Sequence, residues 1–186
     1  MKKQKKQFLI LLVLLFVIVG GGLGALKYIE YQEQKEAEKI AAETIYITKL
    51  DPDEIESFIC WYKTGDGWDE REFVKKDEKW IAMKNPSAEL QQSLLKRMAD
   101  ELAQMTAVKK LEGVVDFAAY GFDDVFKKYT IHTADKTYEI TLGGFNDLTD
   151  CYYMSSASEP SVVYMVEPSY VTAFVSTVEA LKVVEQ

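Results

Sequence analysis

Histidine and cysteine are scarce in this chain, which has one histidine and two cysteines among 186 residues. With His132 alone, neither a Ser-His-Asp relay nor a histidine-rich zinc site has much support. A Cys–His nucleophile pair with Cys60 or Cys151 stays open on spacing, although no local signature marks one. Strand alternation points His132 away from the face shared by Ile131 and Thr133, so we interpret it as an exposed strand residue. No catalytic residue is predicted.

The two cysteines leave a disulfide as an open alternative. Outside the cytoplasm a bridge between Cys60 and Cys151 is chemically allowed. It would close a loop of about 90 residues, worth up to roughly 4–5 kcal/mol in the chain-entropy model. Two cysteines on distant strands have no special reason to meet, so the sequence favours two separately buried thiols.

Charge is absent from residues 8–26, which read FLILLVLLFVIVGGGLGAL. A helix of this length spans roughly 28 Å at about 1.5 Å per residue, close to the hydrocarbon thickness of a bilayer. Four lysines precede the run, and the positive-inside rule keeps such residues in the cytoplasm. We therefore predict a basic cytoplasmic tail over residues 1–7, a single transmembrane helix over residues 8–26 and an extracytoplasmic remainder.

A cleaved signal peptide is the main alternative to this anchor, because its basic and apolar regions would look the same. Gly22 and Gly24 are small enough for a cleavage site. The apolar run is nevertheless longer than the usual signal core of roughly 7–15 residues, and no cysteine follows it closely for lipid attachment. The sequence favours an uncleaved anchor over a cleaved signal, and either one over a soluble protein.

An acidic region follows the apolar run. Residues 27–44 are rich in good helix formers and predict a polar helical stalk. Four of the 22 basic residues and none of the 30 acidic residues lie within the first 26 positions, so the rest of the chain carries a net charge of −12. Such a surface repels nucleic acid and anionic lipid, and we predict no nucleic-acid partner.

Residues 45–186 predict one α+β domain, mostly antiparallel, with two main packed helices. Alternating or β-rich segments predict strands over residues 45–48, 58–63, 72–75, 80–83, 108–111, 129–133, 138–142, 151–154 and 162–166. Asn85 or Ser87 is predicted to cap the first helix, whose apolar stripe comprises Leu90, Leu94, Leu95, Met98, Leu102 and Met105. The second helix is predicted to begin at Ser169, with an apolar stripe of Val171, Phe174, Val175, Val178 and Leu181.

Two motif matches carry little weight. The segments 93–96 and 63–65 match S-x-x-K and K-T-G of penicillin-interacting serine enzymes, but in the wrong order and without the third element. Clustered acids at Asp51, Asp53, Glu54 and Glu56, and at Asp147 and Asp150, could supply oxygen ligands for Ca²⁺. Their spacing does not fit an EF-hand, and turn chemistry already explains several of them. No metal or cofactor is predicted.

The domain is rich in aromatic residues, and two interpretations apply to them. Packing in the core and across strands is the default. A ligand or peptide groove lined by some of them is the alternative, with candidates Trp61, Trp68, Trp80, Tyr62, Tyr152, Tyr153 and Tyr164.

Several segments together resemble a bacterial family of membrane-anchored domains of unknown function (DUF serial four-three-four-zero). They are the lysine-flanked anchor, the acidic stalk, IYITKLDPDEIESF, the Lys79-Trp80 strand, the helix before TAVKKLEG, DFAAYGFDD, KTYEITLGG, DCYYM and SVVYMVEPSYVTAF. The resemblance covers nearly the whole chain. It implies an extracytoplasmic protein of the kind common in Gram-positive bacteria, with no established catalytic residues. Some members of that family are associated with transporter or gliding systems.

The sequence thus predicts a non-catalytic binding or scaffolding module of the bacterial cell envelope. Its expected contacts are the lipid bilayer, through the N-terminal helix, and an envelope or membrane protein, through sheet edges and exposed aromatics. A ligand- or ion-sensing or transporter-accessory domain is the alternative. A hydrolase of envelope polymers has less support.

Overall fold

The computed structural model describes residues 35, 43–65, 67–172, 174, 178 and 180–183. The chain divides into two compact units, residues 1–44 and residues 45–186. The predicted tail (1–7), transmembrane helix (8–26) and nearly all of the predicted stalk (27–44) lie outside the described residues. None of the helices within the described ranges combines the length and the apolar character needed to span a bilayer.

The described part of the second unit consists mainly of β-strands. The helices are α1 (Gln92–Ala103) and α2 (Ser169–Thr172), and short 3₁₀ turns cover Pro52–Glu54 and Ala118–Tyr120. The strands are β1 (Ile45–Tyr46), β2 (Ile55–Thr64), β3 (Gly67–Lys76), β4 (Lys79–Ala82), β5 (Thr106–Ala107), β6 (Lys109–Glu112), β7 (Lys127–Thr133), β8 (Thr137–Asn146), β9 (Cys151–Ser156) and β10 (Val162–Val166).

Eight of these strands form one sheet in the order β4-β3-β2-β7-β8-β9-β10-β6, and every neighbouring pair is antiparallel. Strands β1 and β5 form a separate antiparallel pair. The predicted sheet-dominated, mostly antiparallel domain with two helices is therefore confirmed. The strands β2 and β3 are each ten residues long, which is longer than the segments predicted for them.

One face of the large sheet, the inner face, builds the core. Alternate residues of the central strands point inwards, so Phe58, Tyr129, Ile131 and Ile140 are fully buried. Helix α1 packs against this face near β2 and β4. Most of its predicted apolar stripe is buried as expected, namely Leu90, Leu95, Met98, Leu102 and Met105. Burying each such side chain stabilises the fold by about 1.5–3 kcal/mol, so truncating Leu102 to alanine would weaken it.

Helix α1 begins at Gln92, so the prediction that Asn85 or Ser87 caps it is wrong. The residues before it are committed to other contacts. Leu90 forms a β-bridge with Lys182, and the backbone N–H of Gln91 donates to the carbonyl of Leu181 over 2.8 Å. Contacts with the end of the chain therefore delay the start of the helix.

A short 3₁₀ turn, Ala118–Tyr120, belongs to a segment that crosses the opposite side of the sheet, its outer face. Gly121 ends the turn with a φ of 77°, in the left-handed region that favours glycine. A Cβ atom at Gly121 would lie only 2.5 Å from the backbone nitrogen of Gly144. The two glycines therefore let this crossing segment lie directly on the irregular part of β8, where the register shifts.

Candidate binding surface on the outer face

The outer face of the sheet has a covered half and an open half. Over β9 and β10 the crossing segment covers it, and the rings of Tyr120 and Tyr153 meet edge to face at 4.9 Å. Cys151, Val163 and Met165 are consequently buried on this side of the sheet. The open half lies over β3, β2, β7 and β8, where several outer-face residues stay partly or fully exposed.

A pocket of about 330 Å³ lies on the open half. This volume is at the small end of the range of about 300–1,000 Å³ that is typical of ligand sites. We call it the outer-face pocket, and its lining residues are Trp61, Trp68, Lys128, Tyr129, Thr130, Glu139, Ile140 and Thr141. Because Tyr129 and Ile140 point their side chains into the core, the other six supply the chemistry.

Strand register brings these six side chains together. Trp61 of β2 pairs with Lys128 of β7, which pairs with Thr141 of β8. Two residues further along β7, Thr130 pairs with Glu139 of β8. Residues directly opposite one another in antiparallel strands share a face, so a single row of each strand forms the pocket wall.

The two indoles of the pocket are held by specific contacts. The Nε1–H of Trp61 donates to the Oγ1 of Thr130 over 3.3 Å. The Lys128 ammonium lies 4.9 Å from the ring centroid of Trp68, a cation–π contact worth about 0.5–1 kcal/mol at an exposed site. Trp68 keeps 39% of its surface exposed. The pocket thus presents an aromatic surface beside hydroxyl groups and one charge of each sign, Lys128 and Glu139.

The predicted aromatic groove therefore involves only part of the candidate set. Trp61 and Trp68 line the pocket, whereas Trp80 is buried against Phe58 with ring centroids 5.0 Å apart. Tyr62 and Tyr164 belong to the inner face, and Tyr164 is fully buried. Alternation along each strand separates these groups.

His132 lies on the outer face, as its strand position predicts. Its Nδ1 is 2.9 Å from the Oγ1 of Thr137. Cys60 faces the core on the other side of the sheet. Cys151 pairs with Asn146 at the far end of β8 from Thr137. The structure therefore brings His132 together with neither cysteine.

Both cysteines are free and buried, so the disulfide considered from the sequence is not formed. Strands β7 and β8 lie between Cys60 on β2 and Cys151 on β9. At about 4.8 Å per strand this separates them by roughly 14 Å, beyond the Cα–Cα range of about 4.4–6.8 Å that a disulfide needs. Burial, partly offset by the nearby Lys127 ammonium, raises the pKa of the Cys60 thiol to about 12. Cys60 therefore stays protonated and unreactive at neutral pH.

The other motif matches have structural explanations. Lys63 lies on the outer face and forms an ion pair of 2.5 Å with Asp124, whereas Ser93 is on α1 on the inner side. The Oδ1 of Asp51 accepts a hydrogen bond from the backbone of Asp53 and starts a 3₁₀ turn. Within the described ranges there is no cluster of three side chains able to hold a metal ion.

Sequence reasoning missed one further site, the buried amine of Lys127. Only 1% of this residue is exposed, and its Nζ donates to the carbonyl oxygen of Val171 over 2.6 Å. The rings of Tyr62, Tyr129 and Phe174 lie 4.9, 5.5 and 5.8 Å from the Nζ atom. Burial lowers the pKa of Lys127 to about 8. The sequence feature that could have revealed this site is alternation. Lys127, Tyr129 and Ile131 are every second residue of one strand, so their side chains point to the same, inner face.

The chain matches no family model, no curated protein and no solved structure.

Proposed function

We propose that the protein is a membrane-anchored binding module of the bacterial cell envelope, and that it performs no catalysis. The outer-face pocket carries this proposal. It combines a concave site with two partly exposed indoles and convergent polar groups, which is the usual composition of a binding site. Among the residues that the structure describes, none covers this half of the sheet, so the pocket is open to a partner on that side.

The membrane anchor in this proposal rests on the sequence. The uncharged run 8–26, the lysines before it and the acidic chain after it favour a single span with the domain outside the cytoplasm. The resemblance to the bacterial domain family supports the same topology and remains a prediction. An anchor would confine the pocket to the membrane surface and raise its effective concentration for partners there.

A non-catalytic role is favoured by what surrounds the residues that could do chemistry. His132 contacts a threonine hydroxyl, and Cys60 has its pKa raised by burial. Neither is a wall residue of the outer-face pocket. A hydrolase of envelope polymers would need several titratable groups that converge on its substrate. Of the six side chains that form the pocket, Lys128 and Glu139 are the titratable ones.

Sensing of a small ligand, or an accessory role beside a transporter, is the second candidate. The volume of the outer-face pocket favours it, since about 330 Å³ accommodates a small molecule. The two candidates differ in what a ligand does. A sensor changes conformation or partner affinity on binding, whereas a simple binding module does not.

Protease treatment of intact cells tests the topology. We expect the full-length protein to fractionate with membranes and to be shortened by protease added outside. Release of a shortened protein into the medium without protease would instead identify residues 8–26 as a cleaved signal. Protection of the whole chain in intact cells would overturn the extracytoplasmic placement.

Photocrosslinking from the sheet tests the binding surface. A photoreactive amino acid at position 141, in the outer-face pocket, is expected to form adducts on living cells. The same amino acid at position 96, on the exposed side of α1, is the matched control. Equal adduct yields at both positions, or none at position 141, would contradict binding through the pocket.

A further inference from the structure

The outer-face pocket has the chemistry of a sugar site. We propose that it binds an uncharged glycan, with one pyranose ring stacked on Trp68 and hydroxyl groups bound by Lys128, Glu139 and Thr141. This assignment rests on the proposed binding function and names its ligand class. Three properties of the pocket lead to it: its aromatic surface, its hydrogen-bonding groups and its charge.

The aromatic surface fits the apolar side of a sugar ring. A pyranose presents a flat patch of C–H groups, and an indole offers a large, rigid apolar face against which such a patch can pack. The Lys128 ammonium lies over one side of the Trp68 ring, but 39% of this residue is exposed, and the sugar packs on that exposed part of the indole. The second indole, Trp61, is fixed by its bond to Thr130, so it forms a stationary side wall.

The polar groups fit sugar hydroxyls, each of which both donates and accepts hydrogen bonds. Glu139 is an acceptor, Lys128 is a donor, and the hydroxyl of Thr141 can do either. All three lie in the same pocket wall on β7 and β8. Because Thr130 already accepts from Trp61, its own hydroxyl proton remains able to reach a ligand.

The charge of the region disfavours an anionic ligand. Within the pocket Lys128 and Glu139 balance each other. Beside it, Glu70 and Glu72 of β3 lie on the same face, opposite Trp61 and Ile59. The chain after residue 26 is strongly acidic, with a net charge of −12 derived from the composition. Phosphate-bearing and carboxylate-bearing polymers would therefore be repelled.

The shape of the pocket fits an internal unit of a polymer. All of its lining residues come from strands β2, β3, β7 and β8 of one sheet, so nothing closes it from above among the residues the structure describes. A polymer chain can consequently extend beyond the pocket over the open half, whereas the crossing segment limits it on the side of β9 and β10. An enclosed cavity would accept only a free end or a monosaccharide.

Titration of the full chain in detergent tests the ligand class. The probes are tetrasaccharides of β-1,4-linked glucose, β-1,4-linked N-acetylglucosamine and α-1,4-linked glucose, with tetragalacturonate as the charged comparison. Binding is followed by calorimetry and by tryptophan fluorescence. At least one uncharged probe is expected to bind and to change the fluorescence, and the charged probe is expected to bind at least about tenfold more weakly.

Two variants locate the site. Trp68→Ala is expected to weaken binding by about tenfold or more, as for other tryptophans at the centre of binding sites. Glu139→Gln is expected to weaken it to a smaller extent, because the amide still accepts a hydrogen bond. Phe145→Ala is the matched control, since Phe145 is 42% exposed but lies outside the pocket. Melting curves establish that all three variants are folded.

Each contrary result has a distinct meaning. Binding that survives Trp68→Ala would overturn the pocket as the sugar site. Failure of all three uncharged probes, with protein adducts formed from position 141, would overturn the glycan and leave the binding function standing. Failure of the probes together with absence of any adduct would overturn the inference and the proposed function alike.

Discussion

Lys127 and Lys128 are neighbours on strand β7, yet their side chains occupy opposite environments. Lys127 points to the inner face, where it is 1% exposed and its ammonium lies among aromatic rings. Lys128 points to the outer face, where it is exposed and its ammonium lies over Trp68. The same residue type is therefore part of the core at one position and a wall of the binding pocket at the next.

The difference shows how a sheet tolerates a cation in its interior. A buried ammonium is costly unless polar groups replace its water. Here the carbonyl oxygen of Val171 in α2 accepts its hydrogen bond, and the faces of Tyr62 and Tyr129 provide negative quadrupole density. The compensation is incomplete, because burial still lowers the pKa of Lys127 to about 8. Lys128 needs no such arrangement.

Replacing each lysine by glutamate should give the largest difference in unfolding free energy between the two positions. Lys127→Glu would place a carboxylate against the Val171 carbonyl oxygen, and we expect it to cost at least about 4 kcal/mol of unfolding free energy. Lys128→Glu should cost less than about 1 kcal/mol, since surface changes rarely exceed 0.5 kcal/mol. Urea unfolding of the full chain in detergent measures both. Equal losses would show that the two faces are not distinct.

Two tryptophans provide the next comparison of the faces. Trp80→Ala removes a ring from the core beside Phe58 and Phe73, and we expect a loss of about 3–5 kcal/mol. Trp68→Ala removes a partly exposed ring, so its loss should stay below about 1 kcal/mol. The midpoints of thermal unfolding rank the two variants. A larger shift for Trp68→Ala would contradict the assignment of the open half as a surface.

A phenol on the inner face tests how α2 is held. The hydroxyl of Tyr129 donates to the carbonyl oxygen of Tyr170 over 2.5 Å. Tyr129→Phe leaves that carbonyl without this donor, and we expect a loss of about 1–2 kcal/mol in urea unfolding. Tyr138→Phe, whose ring is only partly buried against the same core, is the control and should cost less. A neutral result for Tyr129→Phe would mean that the packing of α2 does not depend on this bond.

The smallest expected effect is the contribution of Lys127 to the pH dependence of stability. Its pKa falls from 10.5 to about 8 on folding, so the unfolded chain binds more protons between these values and stability rises with pH. Between pH 8 and 9 the gain should be about 1 kcal/mol relative to Lys127→Met. Cys60 and Tyr62, whose pKa values burial raises, act in the opposite direction but are present in both proteins.

Unfolding at pH 7, 8 and 9 measures this difference. If the stability of wild type minus that of Lys127→Met does not rise across the series, Lys127 keeps an ordinary pKa in the folded protein. Lys128→Met is the control, and because it keeps Lys127, its stability should change with pH as that of the wild type does.

Much of this fold follows from local pattern. Alternating or β-rich segments were enough to predict most strands, and alternation predicted that Ile131 and His132 point to opposite faces. The stripe from Leu95 to Leu102 predicted the buried side of α1 for the same reason. These features depend on residues two to four positions apart, which a sequence displays directly.

The features that escaped prediction depend on residues far apart in the chain. The start of α1 is set by contacts of Leu90 and Gln91 with residues 181 and 182. The separation of Trp61 and Trp68 from Trp80 requires the register of β3 with both β2 and β4. Alternation with Tyr129 and Ile131 indicates that Lys127 points to the inner face. Its charge, however, favours an exposed position, because buried lysines are rare.

The side-chain amide of Gln92 has a consequence for how copies of this protein behave beside one another. Its Oε1 accepts from the backbone N–H of Trp80 over 2.8 Å, and its Nε2 donates to the carbonyl of Trp80 over 3.0 Å. These are the backbone groups that β4, at one edge of the sheet, would offer to a foreign strand. A crowded array of identical domains risks joining edge to edge into fibres, and this amide closes that route at the midpoint of β4.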